Sequence, residues 1–330
     1  MRLPRGCTWV SWSLLLTALS ASVLAQHASA DTIALLQRLQ LAARKLNYSG
    51  TIVSMQQGGQ PQTSRITHVN EGGNERERLE MLDGTPLVVV RHNQQIMSYA
   101  PETRTVIIEK RAGRGGFPAL LTEPATSVAL HYEVRKGEID RVAGMECQVL
   151  ILEPRDRLRY SHRLWSDLGS GLLLKSQIVN EKGEVVEQIA FSQVEIGGSA
   201  ERFGARLQKP SGGRNWRHVS PAVVDANFSD AGWRIENPFP GFRKVLELRR
   251  GIGETEVGQV VFSDGLASVS IFLEALRAGR EVREGLASQG AINIFQRRIG
   301  DHLITVLGEA PPACVTRIAH AIEYKPGSRQ

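Results

Sequence analysis

Cysteine is scarce in this chain, and that scarcity excludes two kinds of site. Only three of the 330 residues are cysteine, namely Cys7, Cys147 and Cys314. None of them stands at the short CxxC spacing of a redox centre or a zinc ribbon, so both classes are excluded. In an oxidising compartment Cys147 and Cys314 have two options, an interdomain disulfide or two buried thiols. The sequence favours the thiols and leaves the pairing open.

Recognisable catalytic and metal-binding motifs are also lacking beyond the first thirty residues. The eight histidines are scattered, and none stands at the i, i+4 spacing of a zinc-binding helix. The GxSxG and Ser-x-x-Lys motifs are absent, and acid pairs such as Glu236 with Glu247 have no context that would raise a carboxyl pKa. We therefore expect no enzyme activity, metal or cofactor. A hydrolase triad assembled only in space would leave no such mark.

Long apolar runs are missing too, apart from a short one at the start. Arg2 and Arg5 precede an uncharged stretch around Leu14–Leu19, and Ala28-Ser29-Ala30 follows. This order predicts a signal peptide over residues 1–30, cleaved after Ala30 or alternatively after Ala25. No later segment approaches the roughly 20 apolar residues of a membrane span. The sequence therefore predicts a soluble exported protein, which places it away from nucleic acid.

The charge balance is mildly basic. The formal net charge is +6, and removal of Arg2 and Arg5 lowers it to +4. A basic surface favours anionic partners such as lipopolysaccharide or an acidic peptide. The alternative is that the excess has no specific role, because exported proteins are often mildly basic.

The remaining chain divides into two β-rich domains. Residues 31–196 begin with a helix through Ile33–Leu46 and continue as at least ten short strands without alternating helices, which indicates a large antiparallel sheet. Residues 197–221 are rich in glycine, proline and arginine, and we interpret them as a linker with a basic face, most simply a solvated tether. Residues 222–330 predict a smaller α+β domain, in which Asp264-Gly265 forms a hairpin turn and Pro311-Pro312 starts a closing helix.

One irregular stretch of the first domain suggests a binding site. Apolar Phe117, Leu120 and Leu121 follow a basic, glycine-rich run that contains Arg111 and Arg114. We predict a lid over an apolar cavity, with the two arginines positioned for lipid phosphates. The favoured alternative is a short helix that plugs the end of the sheet core.

Several strand-and-turn motifs resemble the MucB/RseB family. They occur in the family's order along nearly the whole mature chain: YSGT (48–51), RYSHRLWSD (159–167), GLLLKS (171–176), GEVVEQ (183–188), FSDGL (262–266), VSIF (269–272) and VLGEAP (306–311).

The resemblance implies a fold, partners and a role. The large domain would be a half-barrel of the LolA/LolB type with a packed helix, and the chain would act in the periplasm. It would bind the periplasmic region of an anti-sigma factor of the RseA/MucA type and shield it from the site-1 protease. A sigma-E/AlgU sigma factor would thereby be restrained until lipid or lipopolysaccharide releases the complex. A homodimer is compatible with the family, and a periplasmic lipid or lipoprotein carrier is the alternative function.

The candidate partner contacts lie in the basic linker and the second domain. We expect Arg214, Arg217 and Trp233 to contribute to them, although the aromatic residues of the second domain fit a core better than a binding surface.

Overall fold

The computed structural model describes residues 15–110, 115–208, 210, 215–235, 240–252, 255–277 and 282–325. The side chains of residues 15–29 and of Ile252 are outside that description. The described chain forms two large, mainly antiparallel sheets with few helices, which confirms the predicted α+β class.

The first domain is built on a sheet of twelve strands. Its order is β12-β6-β5-β4-β3-β2-β1-β11-β10-β9-β8-β7, and every neighbouring pair is antiparallel except β12 with β6. The strands are β1 (Tyr48–Gln56), β2 (Gln62–Glu71), β3 (Asn74–Met81), β4 (Val88–His92), β5 (Gln95–Ala100), β6 (Thr105–Lys110), β7 (Tyr132–Val142), β8 (Met145–Pro154), β9 (Ser161–Asp167), β10 (Leu173–Val179), β11 (Val185–Ile196) and β12 (Arg217–Val219).

Two helices pack in this domain. Helix α1 (Leu15–Lys45) buries Leu36, Leu39 and Ala43, whose three- and four-residue steps place them on one face. It begins upstream of the predicted helix, and cleavage at either predicted position would leave this packed half in place. Helix α2 (Ala125–His131) lies in the stretch predicted to be irregular, and its seven residues are too few to give a clear period.

The predicted linker differs from a solvated tether. It contains helix α3 (Ala200–Gly204), a 3-10 turn (Ala205–Leu207) and strand β12. Phe203 and Leu207 are buried against Val69, and Trp216 packs on the cluster that includes Tyr99. These single apolar residues anchor the segment to the first domain, and the surrounding glycine, proline and arginine obscured them in the sequence.

The second domain is a seven-stranded sheet covered on one face by a helix. Its order is β13-β15-β16-β17-β20-β19-β18, and β14 pairs separately with β21. The elements are β13 (Val223–Asp225), β14 (Trp233–Arg234), β15 (Arg243–Ile252), β16 (Thr255–Ser263), β17 (Ser268–Ala275), β18 (Gly285–Gln289), β19 (Ile292–Ile299), β20 (His302–Gly308), α4 (Pro312–Ala321) and β21 (Glu323–Tyr324).

The hairpin β16–β17 and the closing helix α4 agree with the sequence-based expectation. Proline occupies the first turn of α4, which buries Val315 and Ile318 against the sheet.

Among the described residues, no helix combines the length and the apolar character needed to cross a membrane.

Candidate functional site

A buried arginine joins the two domains. Arg159, just before β9 in the first domain, has a side chain with 0 % exposure. Its Nε donates to Asp264 Oδ2 in the second domain at 2.6 Å, its Nη2 donates to the Pro240 carbonyl at 2.7 Å, and its Nη1 pairs with Asp156. The guanidinium carbon also lies 4.6 Å from the centroid of the Phe242 ring. Burial of such a charge is tolerated because each of its nitrogens has a partner.

The carboxylate opposite Arg159 shapes the β16–β17 turn. Asp264 Oδ1 accepts hydrogen bonds from the backbone N–H groups of Leu266 and Ala267 at 2.9 and 2.8 Å. Oδ2 also accepts from the Tyr132 hydroxyl at 3.2 Å. Gly265 has φ +96°, and a Cβ there would lie 2.4 Å from Glu123 Cβ, so the turn fits against the first domain only with glycine.

Apolar side chains cross the same boundary in both directions. Leu158 of the first domain packs on the core of the second, whereas Leu266 of the second packs on the core of the first. Ala291 is fully buried beside Tyr160, and the Asn293 side-chain amide donates to the Tyr160 hydroxyl at 2.8 Å. We call this set of contacts around Arg159 and Asp264 the interdomain joint.

The joint contains two perturbed titratable groups. Burial lowers the pKa of His162 to about 4, although the nearby Asp264 charge acts in the opposite direction. Neither ring nitrogen of His162 has a hydrogen-bond partner, so a neutral imidazole fits this environment. Burial, followed by the Asp264 charge, holds the pKa of the Tyr132 phenol well above its ordinary value.

The predicted lid packs on the core of the first domain and contacts the second domain. Leu121 is 1 % exposed and packs with Leu36 and Leu39, while Phe117 and Leu120 are half-buried. The Phe117 ring centroid is 5.2 Å from that of Phe191. These contacts favour the core-plug alternative, and lipid contact by the three residues stays a prediction. Arg111 and Arg114 lie outside the described residues.

The same segment is tied to its surroundings on both sides. Thr122 donates its backbone N–H to the Gly265 carbonyl at 2.8 Å, and Glu123 pairs with Arg243 at 2.7 Å. From α1, Gln40 Nε2 donates to the carbonyls of Leu121 and Glu123 at 3.2 and 2.8 Å. We call residues 117–124 the strap, since they fasten the second domain to helix α1.

A basic cavity opens beside the strap. It has a volume of about 470 Å³, and Arg44, Lys45, Arg91, Glu75 and Thr122 contribute to its wall. Arg44 Nη2 donates to the Leu121 carbonyl at 3.3 Å, whereas the buried Arg44 Nε has no hydrogen-bond acceptor. Three cations against one carboxylate make this cavity suited to an anionic group.

The structure describes two of the three candidate partner residues, and these two lie apart. Arg217 is exposed on β12, at the edge of the large sheet. Trp233 is only 5 % exposed and packs against His302 and Tyr324 in the core of the second domain. This burial speaks against direct contact between Trp233 and a partner. Arg214 lies outside the described residues.

Both cysteines of the two domains are free and buried in separate cores. Burial raises the pKa of the Cys147 thiol to about 11 and that of the Cys314 thiol to about 12. The structure therefore agrees with the two-thiol option.

Sequence reasoning did not identify Arg159, Asp264 or the cavity as sites. The motifs that contain Arg159 and Asp264 were interpreted as structural, and contact between distant segments has no local signature. The available signal was a charged residue just ahead of strand β9, which contains the buried Leu164 and Trp165.

Two mainly antiparallel sheets with packed helices, and a buried polar joint between them, define the chain as a two-domain α+β protein. Family models match the chain in two successive parts. The MucB/RseB N-terminal domain matches residues 31–210, and the MucB/RseB C-terminal domain matches residues 227–323. The chain belongs to the MucB/RseB family.

Individual relatives agree over nearly the whole length. The chain is 32 % identical to the sigma factor AlgU regulatory protein MucB of Pseudomonas aeruginosa, over 94 % of this chain and 96 % of the relative. It is 26 % identical to the sigma-E factor regulatory protein RseB of Escherichia coli K12, over 96 % and 98 % respectively. A crystal structure of MucB in complex with MucA(peri) matches with a TM-score of 0.67 at 30 % identity, covering 89 % of this chain and 98 % of MucB.

Proposed function

We propose that this chain is a periplasmic, non-catalytic regulatory protein that binds the periplasmic region of an anti-sigma factor and thereby restrains a sigma factor of the sigma-E/AlgU type. The observation that carries the proposal is the similarity to MucB in its complex with MucA(peri), which extends over both domains. The proteins named above carry regulatory names, in agreement with a binding role rather than catalysis.

Shielding of the anti-sigma factor from proteolysis is the mechanism that we infer for this restraint. The protease cleaves only the unbound segment, so the rate of cleavage falls as the bound fraction of the segment rises. The joint around Arg159 supports this role, because two domains that are fixed relative to each other present a preorganised surface and lose little entropy on binding.

We further propose that an anionic lipid releases the complex through the first domain. The cavity beside the strap offers Arg44, Lys45 and Arg91 for a phosphate, and Arg44 Nε is free to donate. A ligand that draws Arg44 away from the Leu121 carbonyl would loosen the strap where it meets Gly265. The complex would be weakened by the difference in the ligand's affinity for the free and the complexed protein.

Calorimetric titration tests these proposals together. The mature protein is titrated with the periplasmic segment of the host's candidate anti-sigma factor, before and after saturation with lipopolysaccharide. We expect binding that lipopolysaccharide weakens, and slower site-1 cleavage of the segment when the protein is present. Absence of segment binding would refute the regulatory function.

A lipid or lipoprotein carrier is the second candidate, in which the basic cavity of about 470 Å³ would hold the anionic headgroup. The same titration separates the two functions, since a carrier gives heat with lipid and none with the segment.

Changing Phe117, Leu120 and Leu121 to serine tests the predicted lid. Retained lipid binding would contradict a lid, whereas unfolding of the domain would support the core plug.

A further inference from the structure

The exposed edges of the two large sheets are not equally protected against pairing with another strand. Within the described residues the edges are β7 and β12 of the first sheet and β13 and β18 of the second. Open edges of long, uncharged strands are templates for further strands, so proteins shorten, charge or bulge them.

Three of the edges carry such protection. Strand β7 alternates acidic and basic side chains, including Glu133, Arg135 and Lys136, and its register shifts between Lys136 and Ile139. Strands β12 and β13 are only three residues long.

Strand β18 carries none of these features. Its five residues, Gly285-Leu286-Ala287-Ser288-Gln289, are all exposed, and none is charged. It pairs regularly with β19 from Gly285 to Gln289 without a bulge, and no other strand of the described chain pairs with it. Leu286, 48 % exposed, adds an apolar side chain to this edge.

The far end of β18 is held against the first domain. Ser288 Oγ and Asn293 Oδ1 are 2.5 Å apart, and the Asn293 amide donates to the Tyr160 hydroxyl of the joint at 2.8 Å. Gly290, in the β18–β19 turn, lies so close to Gln56 that an added Cβ would be 2.9 Å from Gln56 Cβ. A strand added to β18 would therefore be positioned rigidly and would continue onto the first domain.

The size of this edge favours a peptide over a second copy of the chain. Five residues extend about 17 Å, and an edge about 10 Å thick offers on the order of 170 Å². A stable dimer needs about 800 Å² from each partner. An extended peptide obtains affinity from main-chain hydrogen bonds in addition to area.

The other end of β18 is close to neutral in charge. Arg283 and Glu284, both exposed, precede the strand, and Arg298, 54 % exposed, stands on β19 near this end, where its Nε donates to the Gly300 carbonyl at 2.6 Å and Asp301 is 3.5 Å away. Two cations and two carboxylates at this end, together with the uncharged strand, fit an uncharged segment.

We propose that β18 is the docking edge for an extended, uncharged segment of the anti-sigma factor's periplasmic region. This proposal rests on the proposed function and names its surface. The segment adds to β18 as an eighth strand of the second sheet.

Leu286→Lys in the full mature protein tests the proposal. A lysine on an edge strand blocks pairing, so a loss of affinity that is specific to this variant reports the blocked strand. Val224→Lys on β13 is the matched control, because it changes a 62 % exposed valine on the opposite edge of the same sheet to the same residue. Calorimetry with the periplasmic segment gives the affinities, and amide hydrogen exchange of residues 285–289 reports pairing.

We expect at least a tenfold loss of affinity for Leu286→Lys, little change for Val224→Lys, and slowed exchange at β18 in the unmodified complex. If the unmodified protein and both variants bind the segment with equal affinity, and binding does not slow amide exchange at residues 285–289, then β18 is not the docking edge. The proposed function would not be affected by this result. Absence of binding by the unmodified protein would overturn the proposed function as well. A dimer of the unmodified protein that Leu286→Lys converts to a monomer, seen by light scattering, would assign the edge to a second copy instead.

Discussion

Replacement of Arg159 by glutamine tests whether the interdomain joint holds the two domains together. The change leaves the fully buried Asp264 carboxylate without its cationic partner. Removal of one member of a buried ion pair costs about 3–5 kcal/mol of unfolding free energy. Asp264 keeps three donors, namely the Tyr132 hydroxyl and the N–H groups of Leu266 and Ala267, so we expect a loss near the lower end, about 3 kcal/mol.

Urea unfolding followed by circular dichroism measures this loss, and amide hydrogen exchange resolves the two domains. We expect the amides of the second domain to open independently of the first in Arg159→Gln. The control is Arg135→Gln, which breaks a pair with Glu153 whose side chains are 48 % and 49 % exposed. Such a surface pair contributes less than about 1 kcal/mol.

A double-mutant cycle distinguishes the pair from its surroundings. Asp264→Asn keeps the Oδ1 acceptor for the turn but removes the charge. The losses of Arg159→Gln and Asp264→Asn should therefore sum to more than the loss of the double variant. A loss for Arg159→Gln no larger than that of Arg135→Gln, with domains that still open together, would refute the joint as the connection between the domains.

Three further predictions concern buried side chains. Burial lowers the pKa of His162 to about 4 in the folded chain, so only the unfolded chain gains a proton between about pH 6.5 and 4. The free energy of unfolding, measured in urea, should therefore fall by about 3 kcal/mol as the pH is lowered through that window. In His162→Phe this pH-dependent fall should be absent. Leu121→Ala should lower the unfolding free energy by about 2–5 kcal/mol in urea if the strap is a core plug, whereas a loss below 1 kcal/mol would favour a mobile lid. Cys147 and Cys314 should react with Ellman's reagent only after the protein is unfolded, and two thiols per mature chain should then react. If no thiol reacts in the unfolded protein, the two cysteines form a disulfide.

The regular strands of the first domain could be predicted because they are short apolar-rich runs separated by glycine, asparagine and aspartate at the turns. The polar run His92-Asn93-Gln94 marks the break between β4 and β5, and the Asp264-Gly265 turn joins β16 to β17. Strand β18 was missed, because its five exposed residues show no alternation of apolar and polar side chains.

Sites that depend on distant contacts could not be predicted in the same way. Arg159 resembles any surface arginine until Asp264, 105 positions later, is placed beside it. The cavity likewise arises from helix α1, two hairpins and the strap, which no local pattern brings together. Trp233 was open to two interpretations, and its burial against His302 and Tyr324 favours the core.

Strand β12 limits how far the two halves of this molecule can ever separate. It ends at Val219 and β13 begins at Val223, so the tether between the two sheets is only residues 220–222. Fully extended, it spans about 14 Å between the Cα atoms of Val219 and Val223. Each half thus remains at a high effective concentration beside the other, on the order of millimolar. A ligand that opens the joint would leave the two domains connected by a short hinge. Because the domains stay close together, the joint would form again as soon as the ligand dissociates.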